Sequence, residues 1–311
     1  MHLLVLAGHA PVVLTVDHGL RRESARDAKR VAAWAKSAGL KAAVLRWQGA
    51  KPKSGIEAAA RDARYRLMGA WLKKSGIDTL LVGHTRDDQA ETFLLRLARG
   101  SGLDGLCAMQ PHAPWPLAGF ETLSLRRPLL DFGRDELRAW LRAQGHAWLE
   151  DPMNDDASFD RVKMRRALSV LEEAGISAAR IAAAAAHMAR ARAALEVVTE
   201  AVLARASRRT ASGFAIDPAA LTAAPREVGL RALAALLMAV GGQAYRPRFD
   251  ALERLFDRLG AGTLGAGATL HGCRIAPWPR SAPDFRPGTL LVEPEKPRKT
   301  GKSSAGKARR R

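Results

Sequence analysis

The chain has 311 residues, of which 47% are hydrophobic, so it is long enough for two domains and too apolar for an intrinsically disordered protein. Its formal net charge is +19, from 50 Lys and Arg against 31 Asp and Glu, which favours a polyanionic partner, either nucleic acid or a membrane surface. The two cysteines, Cys107 and Cys273, form no zinc motif or disulfide framework and indicate a reducing compartment. No apolar run reaches the length of a membrane span, so we expect a cytoplasmic protein without a membrane partner.

Strands and helices alternate in the first third of the chain. The predicted order is helix 1–7, strand 12–16, helix 25–38, strand 42–47, helix 56–74, strand 79–82 and helix 86–99. The run at 12–16 is rich in β-branched residues, which is typical of a strand buried on both faces. This alternation predicts an α/β fold with a parallel sheet and crossover helices. Because a βαβ unit begins with a strand, we expect a strand, a loop and the start of a helix to precede Met1.

The rest of the chain is predicted to be mostly helical. Three prolines between 111 and 116 indicate an irregular loop. The predicted elements that follow are a strand at 123–127, helices at 133–144, 158–173, 178–206, 225–240 and 247–259, and small antiparallel strands between 260 and 292. We therefore expect an α/β domain at 1–175, a smaller, mostly helical domain with a few short strands at 176–293, and a disordered basic tail at 294–311.

Polar residues follow the first predicted strand at the edge where ligands bind. Asp17 and His18 come directly after the apolar run, and in open α/β sheets ligands bind outside the carboxyl ends of the strands. Both side chains are therefore candidates to line a nucleotide pocket. The alternative is that Asp17 caps a turn and His18 is a polar loop residue.

A denser cluster of acids follows the strand at 79–82. His84 precedes a helix whose first turns carry Asp87, Asp88 and Glu91. Asp87 and Glu91 are four residues apart, so they share a helix face and repel each other. An acidic cluster at this edge can hold Mg²⁺ or an ammonium group. The alternative is that Asp88 closes a capping box with Thr85, which explains Asp88 but not Glu91.

Two further patterns favour phosphate contacts. Arg99, Gly100 and Ser101 end the helix at 86–99, and the amides of a Gly-Ser-Gly turn can approach a phosphate, although ordinary helix C-caps have the same composition. Basic residues also lie on two predicted helices, where they favour RNA binding, with a solvated helix face as the alternative. These residues are Arg61, Arg64, Arg161, Arg165 and Arg166.

The order and spacing of the motifs resemble the tRNA(Ile)-lysidine synthetase family, strongly over residues 1–175 and weakly through 263–293. The motifs are Asp17-His18-Gly19-Leu20-Arg21, then Arg61 with Arg64-Tyr65, Gly83-His84 with Asp87-Asp88-Gln89 and Glu91-Thr92, residues 95–102, Arg127-Pro128-Leu129-Leu130, Glu150-Asp151-Pro152 with Asn154, and Arg161 with Arg165-Arg166.

The resemblance implies an adenine-nucleotide α-hydrolase-like, or PP-loop, catalytic domain followed by a tRNA-contacting domain. It implies that ATP adenylates the wobble cytidine of tRNA(Ile) with the CAU anticodon, and that free L-lysine then displaces AMP to give lysidine. ATP and Mg²⁺ are the implied cofactors. The resemblance leaves the oligomeric state open, with a homodimer as one option.

Site roles follow from the resemblance and the patterns above. They assign catalysis to Asp87, Asp88 and Glu91, with Asp87 and Asp88 also holding the metal. They assign nucleotide binding to Asp17, His18, His84, Arg99, Gly100 and Ser101, and tRNA binding to Arg61, Arg64, Arg161, Arg165 and Arg166.

One departure from the family concerns its phosphate-binding S-G-G-x-D-S loop, which is not present in the 311 residues. A catalytically inactive tRNA-binding remnant is therefore the alternative function. A related PP-loop tRNA thiolase is disfavoured, because such enzymes need paired cysteines and this sequence has no C-x-x-C.

Overall fold

A computed structural model describes residues 1–52, 54–150, 160–243, 245–279 and 287–296. The chain forms two compact units, Met1–Ala189 and Arg190–Arg311. The division falls inside the long helix that we expected to begin the second domain, and it lies later in the chain than the predicted boundary after residue 175. Each unit has its own strands and its own hydrophobic core.

The first unit alternates helices and strands, as the sequence predicts. Its helices are α1 His2–Leu6, α2 Ser24–Ser37, α3 Ile56–Ser75, α4 Arg86–Ala98, α5 Leu103–Leu106, α6 Arg134–Ala143 and α7 Asp160–Glu173. Its strands are β1 Val13–Asp17, β2 Ala42–Arg46, β3 Thr79–Leu81, β4 His112–Pro114 and β5 Ser124–Arg126. The sequence missed β4, because prolines around it suggested an irregular loop, and it missed the single turn of α5.

The strands of this unit pair mostly in parallel. β1 pairs with β2 along its whole length, from Val13 opposite Ala42 to Asp17 opposite Arg46. β3 pairs in parallel with β5, and β4 adds to the other side of β5 in the antiparallel sense. Among the described residues these are two separately hydrogen-bonded sheets. The parallel pairs joined through helices confirm the α/β prediction.

One expectation about β1 was wrong. It was predicted to be buried on both faces, but in β1 Asp17 alone is fully buried and the other four residues are half-buried. The partner strand β2 alternates between exposed and half-buried positions. Helices α2 and α3 pack against this pair but cover it only in part, so β-branched composition here indicates strand geometry rather than complete burial.

The core of the first unit lies where α3 meets β3 and β5. Tyr65 and Leu72 of α3 pack there with Leu80, Trp115 and Leu125. The Tyr65 and Trp115 rings meet edge to face, with centroids 5.6 Å apart at 87°, a geometry that adds about 0.5–1.5 kcal/mol beyond the apolar area buried. This packing fixes β3, and therefore the start of the helix that follows it.

The second unit contains a five-stranded antiparallel sheet packed against helices. Helix α8, Ala178–Ala206, leads into β6 Ser207–Arg209, β7 Phe214–Ile216, α9 Pro218–Thr222, α10 Arg226–Gly241, α11 Phe249–Gly260, β8 Ala268–Leu270, β9 Cys273–Pro277 and β10 Leu290–Pro294. The strand order is β6-β7-β10-β9-β8. Antiparallel strands between 260 and 292 confirm the prediction, whereas β6, β7 and α9 were missed because they are short.

Helix α10 is the centre of this unit's core. Its Leu233 and Leu237 are completely buried, and they belong to one cluster with Ile275 of β9 and Val292 of β10. Full burial of a leucine contributes about 1.5–3 kcal/mol, so this helix and the sheet stabilise each other.

Both cysteines are free and buried, so they pack as small apolar residues. Burial raises the pKa of the Cys273 thiol to about 11, so this sulfur stays protonated and unreactive at neutral pH.

The longest described helix, α8, has 29 residues, but arginines interrupt its alanine-rich sequence. Across the parts of the chain that the structure describes, no helix is both long enough and apolar enough to cross a membrane.

Close packing in the second unit makes a testable prediction at Gly229 in α10. A Cβ added there would lie 2.6 Å from ring atoms of Phe256 and 2.7 Å from the carbonyl oxygen of Leu221. We expect Gly229→Ala to lower the free energy of unfolding by about 1–3 kcal/mol through overpacking. Urea denaturation measures this. Gly260→Ala is the matched control, because its Cβ would meet only Thr222 at an ordinary 3.5 Å, and an equal loss in both variants would contradict the prediction.

Candidate active site

The candidate site begins at the carboxyl end of β3. The chain leaves β3 at Leu81 and enters α4 at Arg86, with Thr85 as the N-cap residue. One oxygen of Asp88, Oδ2, accepts hydrogen bonds from the backbone N–H and the hydroxyl of Thr85, each at 2.8 Å. Asp88 therefore closes the capping box that was its alternative role. This cap fixes where the acidic face of α4 begins.

Glu91 is the buried charge of the site. It lies one turn further along α4 and is 0% exposed. Its Oε1 accepts a hydrogen bond of 2.6 Å from Nε of Arg165 in α7, and a second of 3.3 Å from Nη2 of Arg134 in α6. Its Oε2 is also buried and accepts no hydrogen bond from the described residues. One carboxylate thus joins three helices and retains an unused acceptor.

Arg134 contacts all three carboxylates of α4. Its backbone N–H donates to Oδ2 of Asp87 at 2.7 Å, and its guanidinium lies 3.3 Å from Glu91 and 3.6 Å from Asp88. Burial disfavours the charge on Arg134, but Glu91, Asp88 and Asp87 outweigh this and raise its pKa above the ordinary value. The repulsion expected between Asp87 and Glu91 is therefore offset by this cation.

The sequence missed Arg134, although a signal was present. It is the first residue of α6, a helix predicted correctly, and it follows the Arg127-Pro128-Leu129-Leu130 motif by four residues. A lone arginine at a helix start resembles a surface residue, because nothing in the sequence brings α6 next to α4.

The arrangement bears on the predicted metal site. Asp88 caps α4 with Oδ2, Asp87 accepts the Arg134 amide, and Glu91 binds two arginines. No group of three or more His, Cys, Asp or Glu in the described residues could hold a metal ion. Arg134 and Arg165 already supply positive charge to these carboxylates. Metal binding by Asp87 and Asp88 stays a prediction.

Asp17 organises the loop after β1. Its Oδ1 accepts hydrogen bonds from the hydroxyl of Ser24 at 2.5 Å and the N–H of Gly19 at 3.1 Å. Its Oδ2 lies 3.4 Å from Nε of Arg46. The bond from Ser24, opposed by burial and assisted by Gly19 and Arg46, holds the pKa of Asp17 below its ordinary value. The turn-capping alternative is therefore realised for Asp17.

The other predicted nucleotide-binding residues occupy separate turns. Nδ1 of His18 accepts from the N–H of Leu20 at 3.1 Å, and His84 is half-buried directly before the cap of α4. Gly100 has a φ of +69° and closes α4, which is the C-cap alternative. Arg99 is exposed, and its guanidinium lies 3.5 Å from the carboxylate of Asp160 in α7. The backbone N–H of Ser101 donates to the backbone oxygen of Arg96. Nucleotide contacts by these residues stay predictions.

The arginines predicted to bind RNA divide into two groups. Arg61 and Arg64 are exposed on α3, and the Arg61 guanidinium lies over the Tyr65 ring at 5.0 Å. On α7, Arg166 is exposed, but Arg165 turns toward Glu91, because successive helix residues point about 100° apart. The Arg165 guanidinium therefore pairs with Glu91, which does not match the prediction that it contacts phosphates.

Part of the sequence pattern falls outside the described residues. This applies to Asp151, Pro152 and Asn154 and to the side chain of Arg161. Glu150, the last described residue before them, accepts hydrogen bonds from Arg138 at 2.8 Å and from Nε1 of Trp148 at 2.7 Å.

Comparisons with known proteins agree with this architecture. Residues 4–172 match the family model of the PP-loop domain. A tRNA(Ile)-lysidine synthase from Ruegeria pomeroyi is 40% identical over 84% of this chain and 64% of its own length. One from Wolbachia pipientis wMel is 36% identical over 85% of this chain and 61% of its own length. One from Methylobacterium nodulans is 40% identical over 93% of this chain and 84% of its own length.

The chain therefore spans less than two thirds of the length of the first two relatives and 84% of the third. Among solved structures, the U34-tRNA thiolase NcsA from Methanococcus maripaludis matches with a TM-score of 0.49 and 14% identity, over 60% of this chain and 66% of that chain.

The position of Arg134 leads to a stability prediction. Arg134→Ala leaves three carboxylates without their shared cation, so we expect the free energy of unfolding to fall by about 1.5–3 kcal/mol. The control is Arg138→Ala, one turn along the same helix, whose partners Asp135 and Glu150 are exposed and contribute about 0.2–1 kcal/mol. Chemical denaturation compares the two, and equal losses would show that Arg134 is only a surface ion-pair residue.

The lowered pKa of Asp17 predicts a pH dependence of stability. A carboxyl whose folded pKa lies below its unfolded value stabilises the fold above the unfolded pKa, about 3.9, and loses that contribution as the pH falls toward the folded pKa. We expect Asp17→Asn to cost about 1.5–3 kcal/mol near neutral pH, with the difference from wild type shrinking below about pH 4. Urea unfolding of both proteins between neutral pH and about pH 4 measures this difference. Asp62→Asn is the control, because Asp62 is exposed. A difference that is constant with pH would contradict this interpretation.

Proposed function

Because the chain belongs to the tRNA(Ile)-lysidine synthase family of PP-loop proteins, we propose that it forms lysidine on tRNA(Ile) in an ATP-dependent reaction. The C2 oxygen of the wobble cytidine attacks the α-phosphorus of ATP and pyrophosphate leaves. The ε-amine of free L-lysine then attacks C2, the bond between C2 and the adenylated oxygen breaks, and AMP leaves. The tRNA carries the CAU anticodon, and its cytidine must leave the base stack to be reached.

The observation that best supports a lysine site is the unused oxygen of Glu91. A buried carboxylate oxygen without a hydrogen bond is costly, since it loses its water and gains no partner. Oε2 of Glu91 is such an atom, and an ammonium group carries three donors that could satisfy it. Arg165 and Arg134 hold the other oxygen, so they orient the carboxylate for this role. Asp87 and Asp88 contribute negative charge beside it.

Nucleotide contacts are proposed for the carboxyl ends of β1 and β3. Asp17 and His18 follow β1, and His84 follows β3, next to open space at Gly83, where a Cβ would meet nothing within 4 Å. Arg99, Gly100 and Ser101 are the proposed phosphate contacts after α4. Mg²⁺ would accompany ATP and neutralise its phosphates. Asp87 and Asp88 are proposed to supply protein oxygens to this ion together with the phosphates, because the described residues contain no group of three or more His, Cys, Asp or Glu that could hold a metal ion.

The positive charge of the chain fits a tRNA substrate. A net charge of +19 attracts a polyanion, and Arg61, Arg64 and Arg166 are exposed on α3 and α7. We assign tRNA contacts to these residues, to Arg161, and to the second unit, which is the proposed docking domain. We propose a cytoplasmic location, where tRNA, ATP and lysine occur together.

A second candidate function is a catalytically inactive tRNA-binding protein. The observation that favours it is the lack of an S-G-G-x-D-S sequence in the 311 residues, because amides of such a loop hold phosphates in nucleotide-binding sites. This candidate predicts tRNA binding without consumption of ATP.

Incorporation of labelled lysine into a tRNA(Ile) transcript tests the proposal, using the 311-residue chain and a version extended upstream. We expect incorporation that requires ATP and Mg²⁺. We further expect Glu91→Gln to reduce it about 10- to 150-fold, because the charge that binds the ammonium is removed. Asp135→Asn is the control, since that side chain is 96% exposed, and it should retain full activity.

The outcomes separate the two functions. If neither version incorporates lysine while both bind the transcript, the inactive tRNA-binding protein is the correct function. If Glu91→Gln keeps both its activity and its KM for lysine, Glu91 does not bind the ammonium group.

A further inference from the structure

The segment 245–249, which leads into α11 and includes its first residue, exposes two aromatic rings beside two arginines. Tyr245 is 68% exposed and Phe249 is 59% exposed, and Arg246 and Arg248 between them are exposed as well. Among the described Phe, Tyr and Trp side chains, only Phe132, Tyr245 and Phe249 are exposed, and the last two lie within these five residues. The rings are therefore concentrated on one small surface rather than scattered.

The surrounding structure holds this segment in place. The backbone oxygen of Tyr245 lies 2.7 Å from Nε2 of His271, which donates the hydrogen bond. The two rings meet edge to face, with centroids 5.4 Å apart at 83°. His271 has a φ of +56°, an uncommon backbone conformation outside glycine, and Pro247 is buried in the middle of the segment. The exposed ring is thus positioned before any ligand binds, which lowers the entropy cost of binding.

The chemistry of the segment fits RNA. Aromatic faces stack on bases and arginines contact phosphates, and this combination is typical of surfaces that bind single-stranded nucleic acid. Residues 245–249 contain two arginines and no acid, and the whole chain carries +19. Bases inside a duplex are already stacked and present no free face, so exposed rings favour unpaired nucleotides.

We infer that the segment 245–249 is a binding surface for unpaired nucleotides of an RNA, in which Tyr245 and Phe249 stack on bases and Arg246 and Arg248 contact the backbone phosphates. This rests on the proposed function only for the identity of the natural RNA, a tRNA. The inference gives the second unit a defined mode of RNA contact, which uses residues other than the carboxylates of α4.

The test measures binding of two fluorescent probes to the full chain. One is a single-stranded RNA of about 12 nucleotides, a length within the range of site sizes known for single strands. The other is a blunt duplex of similar composition. We expect Tyr245→Ala and Phe249→Ala each to weaken single-strand binding by roughly five- to 150-fold and to leave duplex binding unchanged. Tyr245→Trp retains a stacking face and should bind like wild type.

Two further variants control for surface apolarity and for charge. Val197→Ala removes an apolar side chain that is 67% exposed on α8, and it should not change affinity. Replacing Arg246 and Arg248 by Gln should reduce the salt dependence of single-strand binding, by about 0.7 in the slope of log K against log salt for each phosphate that an arginine no longer neutralises. Thermal unfolding confirms that each variant is folded.

Unchanged single-strand affinity in both folded alanine variants would overturn the inference. So would a change of oligomeric state in those variants, which would make the segment a protein contact. The lysine assay on wild type separates this result from the proposed function. Single-strand binding that depends on Tyr245, without lysine incorporation, would support the RNA surface and contradict the enzymatic function. Lysine incorporation with no effect of the variants would support the enzymatic function and contradict the RNA surface.

Discussion

A buried carboxylate needs a partner, and much of the first unit is arranged around the partners of Glu91. Because an isolated charge in the protein interior is very unfavourable, Glu91 requires Arg165 from α7 and Arg134 from α6. These two ion pairs tie α6 and α7 to α4. They also leave one carboxylate oxygen without a partner among the described residues, and this is the oxygen that we propose binds the lysine ammonium group.

The second unit is stabilised in a different way. Its core is a continuous apolar cluster around α10, including Leu233, Leu237 and Phe256, packed on an antiparallel sheet. Its described ion pairs include Arg226 with Asp257 and Glu253 at the surface, which contribute little, and the buried Arg231 with Glu227 on the same helix. The apolar cluster involves far more side chains than these pairs. The stability of this unit therefore follows apolar burial.

Local sequence patterns were sufficient for most helices and parallel strands, but not for the contacts between them. Periodicity and caps placed α8 at 178–206 and began α4 at the Thr85 cap, because such signals lie within a few residues of one another. The acidic cluster on α4 was likewise visible. The ion pairs of Glu91 with Arg134 and Arg165 depend on which helices pack together. Glu91 is 43 residues from Arg134 and 74 residues from Arg165 in the sequence, and no local pattern encodes such contacts. Short strands such as β4 and β6 were missed because three residues carry too weak an alternation.

The proline in β4 has a consequence for how the first unit behaves in solution. β4 lies at one edge of its three-stranded sheet and pairs with β5. An edge strand offers unpaired amides and carbonyls to any extended chain that approaches, which is a common route to aggregation. Pro114 within β4 has no N–H to donate. The proline that helped to conceal this strand in the sequence therefore also hinders the addition of foreign strands at its open side.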